Sequence, residues 1–210
     1  MKKKTIKVGI TGGIGSGKSF VAQILCERGY KVFDCDYYAK WLMTHDNIII
    51  NDILLNVGND AYLTSEDKYG DVILQLNKKR LSEFIFHDKN STINKIVHPR
   101  IAELFEKWVN EQVEEIVFIE SAILFDSGFD KLVDFSVMVY ANNSVRLTRI
   151  RKRDGMPEER VLERMNSQMN QDEVRNKSDF VIYNNGDDDL YLQISNLLRF
   201  LNIQKNFCFF

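Results

Sequence analysis

Gly12-Gly13-Ile14-Gly15-Ser16-Gly17-Lys18-Ser19 decides the reading of this chain, because it fits the phosphate-loop pattern G-x-x-x-x-G-K-[ST] at every defined position. A loop that wraps a phosphate must turn backbone N–H groups inward and let the anion come close, and glycine permits both. Lys18 offers a point charge to the β- and γ-phosphates, and the Ser19 hydroxyl is suited to ligate Mg²⁺ in a triphosphate complex. The flanks agree with the motif. Upstream, Ile6-Lys7-Val8-Gly9-Ile10 reads as a short, mostly apolar strand; downstream, residues 20–26 read as a helix whose N-terminus would face the anion. The stretch predicts binding of a nucleoside triphosphate, with Gly13, Ile14, Gly15, Ser16, Gly17, Lys18 and Ser19 as the contact residues.

Past that first helix, Gly29 suits a helix C-cap, and Lys31-Val32-Phe33 forms a second strand ending in Asp34-Cys35-Asp36. Ligands of open α/β sheets gather outside the carboxyl ends of the strands, so Asp34 and Asp36 are expected to face the crevice of the phosphate loop. Alternation along an extended chain aims both carboxylates the same way. Asp36 also suits the N-cap of a helix beginning near Tyr37. From 37 to 112 the apolar residues recur at helical spacing, as in 81–86, 93–97 and 101–109, and no convincing strand stands out. This segment reads as a helical insertion, with a polar, turn-rich middle at 56–70. Within it Pro99 is expected to open a helix at its first position, leaving His98 just outside as a candidate ligand-binding residue.

Glu115-Ile116-Val117-Phe118-Ile119-Glu120 is an apolar run ending in an acid, as a buried parallel strand of Walker B type delivers a carboxylate to a site. An apolar loop containing Leu124 follows and is expected to enter the crevice, and Phe135-Ser136-Val137-Met138-Val139-Tyr140 is the next core strand. The segment Arg146-Leu147-Thr148-Arg149-Ile150-Arg151-Lys152-Arg153 is basic and helix-forming, with Pro157 opening another helix. Such a cluster fits a lid, at 144–170, that brings arginines onto triphosphate oxygens. Ser178-Asp179-Phe180-Val181-Ile182-Tyr183 is the last strand, followed by Asn184-Asn185-Gly186 and a terminal helix over 190–203. The tail, Asn206-Phe207-Cys208-Phe209-Phe210, is expected to pack on the core or fray.

With 28 Lys and Arg against 30 Asp and Glu, the formal net charge of −2 gives no general attraction to nucleic acid or an anionic membrane. A small-molecule substrate is the expectation. The 210 residues suit one core carrying a sizeable insertion. Cys26, Cys35 and Cys208 lack metal-ligand spacing and fit reduced cytoplasmic thiols. Lys2-Lys3-Lys4 leads straight into the first strand, with no apolar run of signal or membrane-spanning length, so a soluble, untargeted, cytoplasmic protein is expected, read as a monomer.

Taken in order, the phosphate loop, Asp34-Cys35-Asp36, His98-Pro99, Ile123-Leu124-Phe125-Asp126, Arg153-Asp154-Gly155 and Asn184-Asn185-Gly186 resemble the dephospho-coenzyme A kinases, and the likeness covers nearly the whole chain. It implies an α/β fold of P-loop NTPase type: a five-stranded parallel sheet flanked by helices, a helical substrate-binding insertion and an arginine-bearing lid. The nucleotide-binding core would comprise 1–36 and 113–210, and the helical domain for the coenzyme A precursor 37–112. The implied reaction joins ATP, with Mg²⁺, to the ribose 3′-hydroxyl of 3′-dephospho-coenzyme A. Asp34 matches the family's general base, Arg149 its lid arginine with Arg153 second, and Asn184 its adenine contact; Asp36, His98 and Leu124 fall among the acceptor contacts. The chain departs from the family pattern at Glu120-Ser121, Ala122 and Val174. A nucleoside or nucleoside-monophosphate kinase would share the core, but the long insertion suits a bulkier acceptor. A GTP-dependent switch would carry an Asn-Lys-x-Asp segment, which this chain lacks.

Overall fold

The computed structural model describes residues 5–88 and 91–207. Its strands are β1 Ile6–Thr11, β2 Lys31–Asp34, β3 Tyr62–Glu66, β4 Val72–Leu76, β5 Ile116–Glu120, β6 Phe135–Tyr140 and β7 Phe180–Tyr183. The α-helices are α1 Lys18–Glu27, α2 Cys35–His45, α3 Asn47–Val57, α4 Lys78–His87, α5 Thr92–Glu111, α6 Asn143–Asp154, α7 Glu158–Asn166, α8 Gln171–Lys177 and α9 Leu190–Phe207. Lys2-Lys3-Lys4 and the tail from Cys208 onward lie outside the described residues. Among those described, no helix is long and apolar enough to cross a membrane, and Cys26 and Cys35 are free thiols.

Five strands form one parallel sheet in the order β2-β5-β1-β6-β7. The apolar runs of β1, β5 and β6 make this sheet because a parallel strand covered by helices on both faces is buried on both. On one face Val8, Ile10, Phe118, Val139 and Ile182 pack against Val21, Ile24 and Leu25 of α1 and Ile194, Leu197 and Leu201 of α9. Gly29 ends α1 at φ 88°. There the Gly29 N–H donates to the Cys26 carbonyl at 2.9 Å and the Tyr30 N–H to the Leu25 carbonyl at 3.0 Å. This pair of bonds stops the helix and returns the chain to β2.

Two compact units result: the chain up to Asp34 together with the chain from Glu111, and Cys35–Asn110. Both boundaries fall two residues before those expected from sequence.

The second unit departs from its sequence reading in three places. It contains strands, the antiparallel hairpin β3–β4 with Tyr62 opposite Leu76 and Glu66 opposite Val72. The turn is closed by the Asp67 carboxylate, which accepts from the N–H groups of Tyr69 and Asp71, and by Gly70 at φ 86°. Nearly all of both strands is exposed or half-exposed, so the hairpin carries no alternation of buried and polar residues to announce it. Pro99 does not open a helix; it lies inside α5 with His98 one residue before it. The helix runs through because Ile93, Val97, Ile101, Phe105 and Val109 form one buried stripe across the proline. At about 1.5–3 kcal/mol for each buried large side chain, that stripe outweighs the ~3 kcal/mol that an interior proline forfeits. Asp36 is not an N-cap either, since α2 starts at Cys35, directly on the end of β2, and places Asp36 in its first turn. A carboxylate there still complements the helix dipole.

Asp46 is a cap. Its carboxylate accepts from the N–H groups of Ile48 and Ile49 at the start of α3, and Arg100 of α5 donates to it at 2.8 Å. Burial acts to raise the Asp46 carboxyl, but the Arg100 and backbone hydrogen bonds prevail and hold it below the ordinary carboxylate value.

Candidate active site

Three residues share one rung at the carboxyl end of the sheet: Asp34 lies opposite Glu120, and Glu120 opposite Ile10. The phosphate loop leaves the sheet just beyond Ile10, so both carboxylates stand beside it. Gly12, Gly15 and Gly17 turn the loop at φ 146°, 80° and 94°. A side chain at Gly12 would also place its Cβ 2.2 Å from the Val139 carbonyl oxygen, so the pattern demands glycine there for space as well as conformation. Gly17 precedes α1 directly, and Lys18 and Ser19 are its first two residues. Alternation along β5 puts Glu120 on the same face as Ile116 and Phe118, which is the face that carries α1. The consequence is a hydrogen bond from Ser19 Oγ to Glu120 Oε1 at 2.9 Å.

The carbonyl side of the loop is gripped from outside. Arg149 Nη1 donates to the Asn184 carbonyl at 3.0 Å and, at 3.4 Å, to the carbonyls of Gly15 and Ser16. Its Nη2 donates to Asn184 Oδ1 at 3.1 Å, and Asn184 Nδ2 donates in turn to the Ser16 carbonyl at 2.8 Å. Arg149 and Asn184, both expected at the nucleotide, thus brace the loop that would hold it. Arg146, only 3% exposed, donates from Nε to the Ile14 carbonyl at 2.8 Å. Burial pushes its guanidinium below the ordinary arginine value. From the segment after α7, Gln168 Oε1 accepts from the Ile14 N–H at 2.7 Å.

Arg153 stands apart. Both it and Asp154 sit at the end of α6, where Nε and Nη2 form a two-pronged pair with the Asp154 carboxylate at 2.7 and 3.0 Å. Leu124 is fully buried, packed where a Cβ on Gly9 would meet it at 2.7 Å, so its side chain belongs to the core of the first unit. In the second unit, Asp36 is exposed, and half-buried His98 has its imidazole pushed below the ordinary value by that burial. Sequence reasoning passed over Arg146 and Gln168 as site residues. A helical projection carries the signal for the first, since Arg146, Arg149, Ile150 and Arg153 fall on one face of α6; Gln168 has none.

The family model for dephospho-CoA kinase matches residues 6–189. The chain belongs to that family. Two dephospho-CoA kinases illustrate the kinship: that of Bacteroides fragilis is 37% identical over 199 residues, 93% of each chain, and that of Porphyromonas gingivalis 38% identical over 163 residues, 78% of this chain and 77% of its own. A crystal structure from Thermus thermophilus superposes with a TM-score of 0.78 at 28% identity, covering 95% of this chain and 99% of that one. Shikimate kinase from Bacteroides thetaiotaomicron, at 10% identity and a TM-score of 0.56 over 94% of this chain and 98% of its own, shares the fold. The five-stranded sheet is therefore that of the P-loop kinases, and the chain is a kinase.

Hard oxygen donors side by side suit a magnesium ion, and the Ser19 hydroxyl with the Glu120 carboxylate supplies such a pair. Among the described residues no cluster of three or more His, Cys, Asp or Glu side chains could hold a metal alone.

Proposed function

We propose that this chain transfers the γ-phosphoryl group of ATP to the ribose 3′-hydroxyl of 3′-dephospho-coenzyme A, giving ADP and coenzyme A, the last step of coenzyme A biosynthesis. The observation that carries the reading is the rung that sets Asp34 beside Glu120 at the mouth of an intact phosphate loop, in a chain of the dephospho-CoA kinase family. Backbone N–H groups of the loop and the Lys18 ammonium take the triphosphate. Asp34, exposed at the end of β2, orients the 3′-hydroxyl and accepts its proton as the new P–O bond forms. Mg²⁺, held by Ser19 and Glu120, would neutralise charge on the phosphate oxygens. Residues of Cys35–Asn110, His98 and Asp36 among them, take the bulk of the acceptor, and Arg153 from the lid meets phosphate charge once released from Asp154.

A coupled assay of ADP release, run with dephospho-coenzyme A against adenosine, AMP and deoxynucleosides, tests the assignment. Turnover with dephospho-coenzyme A alone is expected. Equal or better turnover with a nucleoside or AMP would overturn it.

A further inference from the structure

Ile14 sits at the crest of the phosphate loop between Gly13 and Gly15, and both of its backbone polar groups are occupied by side chains from far along the chain. Its N–H is held by Gln168, 154 residues on, at 2.7 Å. Its carbonyl is held by Arg146, 132 residues on, at 2.8 Å. Arg146 is itself fixed, with Nη1 donating to Asn143 Oδ1 at 3.2 Å, and its guanidinium lies so close over Gly13 that a Cβ there would meet Nη2 at 2.3 Å. We propose that Gln168 and Arg146 are positioning residues for phosphoryl transfer, which clamp the two peptide planes of Ile14 and hold the phosphate loop in its binding shape before the nucleotide arrives.

The need for such a clamp follows from the loop's composition. Glycines at 12, 13, 15 and 17 let the backbone approach phosphate, and the same freedom gives the empty loop many shapes. Ordering each residue of a free loop costs about 1–2 kcal/mol, which binding must supply unless the protein has supplied it already. Each of the two peptide planes that meet at Ile14 is tethered by a side chain, so neither can rotate without breaking a hydrogen bond. Arg146 and Gln168 flank α7, at either end of the expected lid, so the crest of the loop and the base of the lid are held as one body.

This inference rests on the kinase reading but not on the identity of the acceptor, and the experiment separates the two. In the full-length chain Gln168→Met keeps the length of the side chain and removes the acceptor, whereas Gln168→Glu keeps an oxygen for the Ile14 N–H. Calorimetric titration with ADP reads the loop without any acceptor substrate. Gln168→Met is expected to weaken ADP binding and raise the KM for ATP by about three- to tenfold, the scale of one lost hydrogen bond. The KM for dephospho-coenzyme A and the melting temperature should stay at wild-type values, and Gln168→Glu should recover ADP affinity. Unchanged ADP affinity in Gln168→Met would overturn the proposal. So would a Gln168→Glu variant as impaired as Gln168→Met, or a common rise in both KM values with a lowered melting temperature, the mark of a purely structural residue. If wild-type protein ignores dephospho-coenzyme A, the acceptor assignment fails while the ADP titration still decides the clamp. Arg146→Lys, which keeps charge and one donor in a buried position, should fall in the same direction.

Discussion

Arg149→Ala separates two roles for one guanidinium. In the first, Arg149 waits for charge that develops on the transferring phosphoryl group; in the second, it holds the phosphate loop from behind. The structure favours the second. Of its four contacts, those to the Asn184 carbonyl and Asn184 Oδ1 are 3.0 and 3.1 Å, whereas those to Gly15 and Ser16 are 3.4 Å. The two long contacts add little, and the two short ones, from a charged donor but at a half-buried position that water can refill, are worth about 1.5 kcal/mol apiece. Losing both amounts to ~3 kcal/mol, or about a hundredfold in kcat/KM at 1.4 kcal/mol per factor of ten.

If Arg149 braces the loop, that loss appears in ADP affinity and the KM for ATP with kcat little changed, because a slackened loop binds ground state and transition state alike less well. Arg149→Lys should rescue little, since a lysine cannot span the carbonyl and side-chain oxygens of Asn184 together. Asn184→Ala should weaken the same parameters, and the double variant should be less impaired than the sum of the two, because each single change already breaks the bond from Arg149 Nη2 to Asn184 Oδ1. Steady-state kinetics and ADP calorimetry on the four proteins make the test. Full ADP affinity in Arg149→Ala beside a collapsed kcat would refute the brace and return Arg149 to the transition state.

Asp34→Asn keeps shape and loses the base: kcat should fall by roughly a hundred- to ten-thousandfold with both KM values little changed, whereas Asp36→Asn, in the first turn of α2, should lower stability or raise KM before it touches kcat; a benign Asp34→Asn beside a dead Asp36→Asn would show the base to be the other carboxylate. For Asp46 the folded carboxyl lies below its unfolded value, so its stabilising contribution is fully present above the unfolded pKa of about 4 and is lost as pH falls through the folded one. Asp46→Asn, which still caps α3 but gives up the charge facing Arg100, should lower stability by up to about 1 kcal/mol at pH 7 and by progressively less below pH ~4. Denaturant titrations at pH 7, 5 and 3 check it, and a difference that grows on acidification would be the wrong sign.

How far the sequence reached depended on whether the relevant force leaves a local mark. The central strands β5, β1 and β6 of the main sheet did, because a parallel strand buried on both faces must be an apolar run, and Ile116-Val117-Phe118-Ile119 can be little else. The phosphate loop did too, since turning N–H groups inward requires glycines at fixed spacing. The β3–β4 hairpin left no mark because exposed strands need no alternation, and Pro99 misled because the stripe from Ile93 to Val109 overrides a local break only when the partner surface is known. Arginines pose a subtler problem. A guanidinium is satisfied by any well-placed oxygen, and the sequence of α6 cannot say whether those oxygens belong to a triphosphate or to the protein's own carbonyls. The structure assigns Arg146 and Arg149 to carbonyls and Arg153 to the carboxylate of Asp154. A physical necessity links these cases: a loop that turns its N–H groups toward an anion turns carbonyls the other way, and those carbonyls need donors. The phosphate motif that is so legible from Gly12 to Ser19 therefore implies a second, cationic layer behind it. Helix α6, arriving from over 130 residues away, supplies that layer without any motif of its own.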